Sequence, residues 1–273
     1  MKRYYLSADI EGIWGNSDSA YTVRSGAEYE QYRQNMIMEV NLAVSALFAN
    51  GADEVVVNDG HGGMDNLCAA QLDERAMMIS AHGAYKEYGM MEGISSDFEG
   101  VCLIGYHCRS NTPGVMAHTI WGSQVRCIKL NGKEVGEAAL NAHLAWAFGV
   151  PVILVSGDSL LKEQLKEEIS GNLCYIETKK AVNSLTALNC SKLDLIHQYK
   201  TETARSVTEN HQIYPEDHYV IDITFHKERN AAFVARVPLS TRPDLSTVRI
   251  EGDDYAELYR RMRFMIKIAN AFE

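Results

Sequence analysis

The sequence predicts an α/β fold, a mostly parallel central sheet flanked by helices with a smaller C-terminal α+β domain, and three observations predict it. Short, densely apolar runs recur at residues 54–58, 101–105 and 151–156, as expected of parallel strands buried on both faces. Segments of helix length with apolar residues near a 3.6-residue period alternate with them. Beyond about residue 180 this rhythm gives way to a polar helix and further strand-like runs. The expected division is a metal-binding catalytic domain over residues 1–185 and a smaller α+β domain over residues 186–273, which could serve oligomerisation.

The first strand is expected over residues 3–9, running into Glu11 and Gly12. Met36, Val40, Ala43, Val44 and Leu47 mark a helix over residues 29–50, and Gly51 is its natural stop. Val55, Val56 and Val57 centre the second strand, and residues 101–105 form another. A hairpin over residues 124–135 turns at Asn131-Gly132, the strongest short hairpin signal. Helices over 137–148 and 159–169 flank the strand at 151–156, and Asp158 reads as the N-cap of the second. The last third holds a helix over 191–210, strands over 219–225 and 231–237, and a closing helix over 253–272. The stripe Leu258, Met262, Met265, Ile266 and Ala269 of that closing helix reads as core.

With 46% hydrophobic and 23% charged side chains, the 273 residues can bury a sizeable core. The 36 acidic against 26 basic residues leave a formal charge of −10, which argues against a nucleic-acid partner. The longest apolar runs, near residues 43–49 and 149–156, fall short of a bilayer's width. Asp9 and Glu11 interrupt what a secretory signal would need to be apolar. Six scattered cysteines with no C-x-x-C pair suit reduced thiols. Together these point to a cytoplasmic protein with no membrane or nucleic-acid partner.

Chemistry concentrates at the ends of the strands, where open parallel sheets bind ligands. The first strand delivers Asp9 and Glu11; two-residue spacing lets both carboxylates point the same way. The second ends in Asn58-Asp59-Gly60-His61-Gly62-Gly63, and a third delivers His107, with His118 after a loop. Two acids and at least two histidines thus converge from distant parts of the chain, a donor mixture suited to Zn²⁺, Mn²⁺ or Co²⁺. Each residue alone has a plainer reading: turn acids, a glycine-shaped loop, hydrogen-bonded core histidines. His143 reads as structural, on the helix face away from Leu140 and Leu144, and His197, His211, His218 and His226 lack acidic companions in a recognisable spacing. A cysteine hydrolase built on Cys108 lacks a glycine-flanked nucleophile turn. No G-x-S-x-G, H-E-x-x-H, G-x-G-x-x-G or Walker loop occurs.

Five motifs in one order resemble the zinc D-aminopeptidases encoded beside dipeptide-transport genes. Ser7-Ala8-Asp9-Ile10-Glu11-Gly12 is similar to the family's S-x-D-x-E-G signature, and Asn58-Asp59-Gly60-His61 to its N-D-x-H element. Gly105-Tyr106-His107 is similar to G-Y-H, and residues 112–118, ending in Met116-Ala117-His118, to T-P-G-V-M-x-H. Gly136-Glu137 followed by Asn141 is similar to G-E-x-x-x-N. The resemblance spans roughly the first 160 residues. It implies two zinc ions per chain, bridged by Asp9, with Glu11 and His61 on one ion and His107 and Glu137 on the other. Glu137 is preferred to Glu134, which lies on the hairpin arm.

The resemblance further implies His118 as the catalytic side chain and a hydroxide between the metals that attacks short peptides with an N-terminal D-residue. It implies a ring-shaped homo-oligomer, a decamer of stacked pentamers. The alternatives are another dinuclear-metal amidohydrolase or phosphoesterase, or a non-catalytic peptide- or metal-binding protein. Arg109 is the only basic residue close to a motif, which ranks a phosphoester substrate lower.

Overall fold

Strand β1 (Arg3–Ala8) lies third in a seven-stranded sheet, in the computed structural model that describes residues 1–270. A 21-residue helix α1 (Tyr29–Ala49) follows, and Gly51, at φ +88°, leaves it by the left-handed turn that glycine favours. Next come β2 (Glu54–Asp59), the short β3 (Met77–Ile79) and β4 (Gly100–Tyr106). The hairpin β5 (Val125–Leu130) and β6 (Lys133–Val135) turns at Asn131 and Gly132, with φ of 49° and 84°. Two left-handed residues are what a tight hairpin turn needs.

The helix α2 (Glu137–Ala147), strand β7 (Val152–Asp158) and helix α3 (Ser159–Glu168) fall where the pattern predicts. Asp158 caps α3, accepting from the backbone N–H of Leu160 and Leu161 at 2.8 and 2.9 Å. Strands β8 (Cys174–Asn183) and β9 (Thr186–Asn189) form a hairpin, followed by helix α4 (Lys192–Ser206). The chain continues through β10 (Tyr219–Phe225), α5 (Glu228–Val234), β11 (Ser240–Thr241), β12 (Thr247–Gly252) and α6 (Tyr255–Ala269). The expected closing helix extended to residues 271–272, which lie outside the described residues.

The large sheet has the order β3-β2-β1-β4-β7-β8-β9, parallel throughout except for β9 against β8. Side chains of β1 alternate between two cores: Tyr5 joins one and Tyr4, Leu6 and Ala8 the other. The second core packs against α1 and α4 through Val40, Val44, Leu47, Leu195 and Tyr199. The first is shared with a five-stranded antiparallel sheet, order β11-β12-β10-β5-β6, and with α2 and α6. Leu258, Met262, Met265, Ile266 and Ala269 of α6 are all buried there, as the stripe predicts.

The structure departs from the sequence pattern in three places. Residues 231–237, expected as a strand, lie mostly in α5, where Asn230, Ala231 and Val234 are the buried face. That i, i+1, i+4 burial is a helical period hidden within a short apolar run. Strand β8 was not expected at all. The division at residue 185 does not coincide with the division between the sheets: β9 and α4 pack with the first sheet, and β5 and β6 pair into the second.

Candidate metal centre

Asp9 follows β1 directly, and its backbone N–H donates to the Ile104 carbonyl of β4 at 2.8 Å, extending the sheet by one bond. The chain then turns sharply across Gly12, where a Cβ would sit 1.9 Å from the Tyr106 carbonyl oxygen. Only glycine fits that approach. The loop is held from β8: Lys179 Nζ donates to the carbonyls of Glu11 at 2.6 Å, Ile13 at 2.9 Å and Asn16. Thr178 Oγ1 donates to the Gly12 carbonyl at 2.6 Å. Lys179 is fully buried, and burial pushes its ammonium down to about 8. Neither residue had a sequence signature, because a lone cation on a strand has no partner at a fixed spacing.

The loop after β2 is organised by Asp59. Its carboxylate accepts from the backbone N–H of His61 at 3.2 Å, of Leu67 at 2.7 Å and of Asn66. His61 is thereby turned toward β1. His107 leaves the end of β4, and Glu137 opens α2 beside it. Ile120 N–H donates to Glu137 Oε1 at 2.8 Å, although the β-branched Ile120 must take φ +59° to do so.

These elements bring the expected residues into two adjoining groups, one of Asp9, Glu11 and His61, the other of His107, His118 and Glu137. His61 Nδ1 lies 2.9 Å from Glu11 Oε2 and 3.3 Å from Asp9 Oδ1. His107 Nε2 lies 3.4 Å from Asp9 Oδ2 and 3.2 Å from Glu137 Oε1. The two oxygens of Asp9 therefore face different imidazoles. His118 Nε2 stands farther off, 3.9 Å from Glu137 Oε1, and its ring stacks on His107 at 4.1 Å. Glu134, on β6, faces Arg109 instead at 3.9 Å.

Each imidazole is aimed by a backbone carbonyl. His61 Nε2 meets the Thr22 carbonyl, His107 Nδ1 that of Cys108, and His118 Nδ1 that of Met116, all at 2.9 Å. A carbonyl only accepts, so the proton of a neutral ring sits on the nitrogen facing it. The other nitrogen then presents a lone pair to carboxylate oxygens, an arrangement that needs a cation between them. Outer carbonyls that orient metal-bound histidines act in this way. Glu11 Oε2 and His107 Nε2 are buried without a hydrogen-bond partner among the described residues. Donors on one tetrahedral zinc at roughly 2.0–2.1 Å stand about 3.3 Å apart, close to the separations here. Nitrogen and carboxylate donors, orphaned atoms and spacing all fit zinc.

Electrostatics tell the same story. Burial and the Glu11 charge push the Asp9 carboxyl up to about 8. Burial opposes ionisation of Glu11 as well, but His61 beside it holds its carboxyl well below the usual range. Burial likewise opposes the charge on His107, yet Glu137 and Asp9 raise it to about 10. His118 moves the other way, lowered by burial and by His107. Three carboxylates at most 6% exposed thus draw positive charge onto whatever stands among them.

Beside the centre opens a cavity of about 660 Å³, lined by His118 and Glu137 and by Met64, Ile120, Trp121 and Leu140. Its size falls in the usual range for small-molecule sites. The Met116 backbone, at φ +53°, donates its N–H to the Ser184 carbonyl at 3.1 Å while its own carbonyl orients His118. The tip of the β8–β9 hairpin therefore supports the His118 loop.

Other candidates resolve plainly. Cys108 is buried beside Asp158, and burial drives its thiol upward, away from reactivity. His143, read as structural, is buried against Trp146, Tyr219 and Tyr255. His211 does have Glu209 and Cys174 nearby, but both its ring nitrogens face backbone carbonyls at 2.9 Å. His218 pairs with Asp253 at 2.6 Å on the surface. No helix among the described residues is long and apolar enough to cross a membrane.

The chain has clear relatives among known proteins. The model of peptidase family M55, D-aminopeptidase, matches residues 1–264. The D-aminopeptidase of Bacillus subtilis (strain 168) is 33% identical over 273 residues, covering 98% of this chain and 97% of its own. A solved structure, the Zn-dependent D-aminopeptidase DppA from Bacillus subtilis, described as a self-compartmentalizing protease, matches with a TM-score of 0.93. It is 30% identical, over 98% of each chain.

Proposed function

The chain belongs to the D-aminopeptidase family, and from that premise we propose that it is a zinc-dependent aminopeptidase releasing N-terminal D-residues, such as D-alanine, from short peptides. Two zinc ions per chain would be held by these side chains, Glu11 and His61 serving one position, His107 and Glu137 the other, and Asp9 both. The observation that carries this reading is the division of Asp9, one oxygen toward His61 and the other toward His107. Zinc, when bound, supplies Lewis acidity and lowers the pKa of water from 15.7 to about 7.

The chain's own residues do the rest. The carboxylates of Asp9, Glu11 and Glu137 balance cationic charge in a site that water barely reaches. His118 is the catalytic side chain: Met116 holds its Nδ1, and Nε2 moves a proton between the attacking water and the leaving amine. Met64, Ile120, Trp121 and Leu140 give the bound peptide apolar walls. The kinship with a self-compartmentalizing protease supports a homo-oligomer. Its form is a decamer of stacked pentameric rings in the cytoplasm, with the sites facing an inner space.

Release of p-nitroaniline from D-alanyl and L-alanyl p-nitroanilide, with chelator and with zinc restored, tests the proposal. The expected result is cleavage of the D-substrate alone, lost with chelator and recovered with two zinc ions per chain by elemental analysis. His118→Ala is expected to lose roughly 10²- to 10⁴-fold in kcat while keeping its zinc. Equal cleavage of the L-substrate, or indifference to chelator, overturns the reading.

A further inference from the structure

The cavity that admits His118 and Glu137 is also lined by Arg263 of α6, a side chain the metal centre does not use. Arg263 is only 7% exposed, and its Nε is buried without a hydrogen-bond partner. No carboxylate of the described residues comes within 4.0 Å of its guanidinium. The polar group beside it is the Tyr259 hydroxyl, which donates to Asn141 at 2.6 Å. Lys86 and Lys267 stand close enough for their charges to oppose that of Arg263, and both already donate to backbone carbonyls. A buried arginine with no acid beside it is costly to stability unless something else supplies the anion.

The guanidinium is also cradled. Gly89 takes φ +53°, and a Cβ there would lie 1.9 Å from Arg263 Cζ and 2.0 and 2.3 Å from its terminal nitrogens. The guanidinium therefore packs against the Gly89 backbone, with the Tyr259 hydroxyl beside it and its Nε unpartnered. Asn141 is one helical turn beyond Glu137 on α2, and Tyr259 one turn before Arg263 on α6. The Tyr259–Asn141 hydrogen bond thus ties the arginine's helix to the helix of the metal centre.

We propose that Arg263 is the substrate-binding residue that takes the C-terminal carboxylate of a short peptide whose N-terminal residue lies at the metal centre. A carboxylate matches the fork of a guanidinium with two parallel hydrogen bonds. Such an anchor measures the distance from the scissile bond to the chain end, so it selects for length as well as for charge. The inference rests on the peptidase reading above and adds to it a preference for di- or tripeptide acids over blocked peptides.

The test compares D-alanyl-glycine and D-alanyl-glycyl-glycine with their C-terminal amides, in wild type and in Arg263→Gln and Arg263→Lys. The wild type is expected to favour the acid of one pair, and Arg263→Gln to reduce that acid-to-amide ratio of kcat/KM by roughly 10- to 100-fold. Arg263→Lys, which keeps charge without the fork, falls between them. The thermal midpoint of Arg263→Gln is expected to hold or rise, since an unpaired buried charge has gone. Acid and amide rates falling together, with a lowered midpoint or a smaller assembly, would show the arginine to be structural or paired across subunits, and the proposal would fail. An unchanged ratio also sinks it. A wild type that cleaves neither peptide defeats the peptidase reading instead; titration calorimetry with the same acids and amides then decides the anchor by the same difference.

Discussion

At Asp9 one carboxylate is divided between two imidazoles, while two residues on Glu11 serves only one of them. Such residues were legible in the sequence because strands deliver them to one edge with a fixed side-chain alternation. His61 and His107 share that legibility, each standing just beyond the end of a strand, whereas Glu137 was reached only through the resemblance of Gly136-Glu137 and Asn141 to G-E-x-x-x-N. Lys179 and Arg263 do not: each is a single cation whose partner is a backbone or an absent ligand, and neither leaves a pattern of spacing. His143 also escaped, since its helix is buried on almost every side and the periodicity marks no outer face. Burial lowers this imidazole from 6.5 to about 4. Between those values the unfolded chain binds a proton that the native protein refuses, so stability is complete above pH 6.5 and falls as the pH drops toward 4. The loss amounts to about 3 kcal/mol. His143→Leu is expected to flatten the acid limb of a thermal-midpoint profile over that window, and an unchanged slope would refute the assignment.

The hairpin of β8 and β9 teaches more than any other element. Its buried half, Cys174 to Thr178, reads as an ordinary interior strand, yet the outer half leaves Val182, Leu185 and Leu188 about two-thirds exposed. No helix among the described residues covers them, and an apolar hairpin left open is where an assembly of copies has surface to bury. Leu185→Glu is therefore expected to lower the mass seen by light scattering from that of the assembly toward that of one chain. Activity should fall with it, because Ser184 at the hairpin tip supports Met116 and Met116 orients His118. A variant of unchanged mass would remove this hairpin from the interface. The helix α5 shows the opposite lesson: seven residues are too few for a period to outvote a locally apolar composition, so residues 231–237 read as a strand.

Across the whole molecule, the alternation of strands and helices in the first 170 residues made β1, β2, β4 and β7 of the large sheet legible, but not β3, β8 or β9. The smaller sheet was not, because the ladder that joins its two parts, β5 against β10, pairs residues more than ninety positions apart: Ile221 opposite Leu130, Ile223 opposite Ile128. Its core is continuous with one face of the large sheet, Tyr5 and Leu103 belonging to the same cluster as Ile128, Ile221 and Val248. Heating is therefore expected to give one calorimetric transition with no separate melting of residues 186–273; two resolved peaks would contradict the shared core.

The same long-range ladder has a use at the bench. Cut between residues 185 and 186, the chain would give two pieces, neither able to complete the smaller sheet: one keeps β5 and β6, the other β10 to β12. Each piece made alone should be insoluble or inert. Made together in one cell they should find each other through β5 against β10 and Tyr259 against Asn141, restoring turnover only in the mixture. The protein would then serve as a split reporter whose signal depends on two fragments meeting.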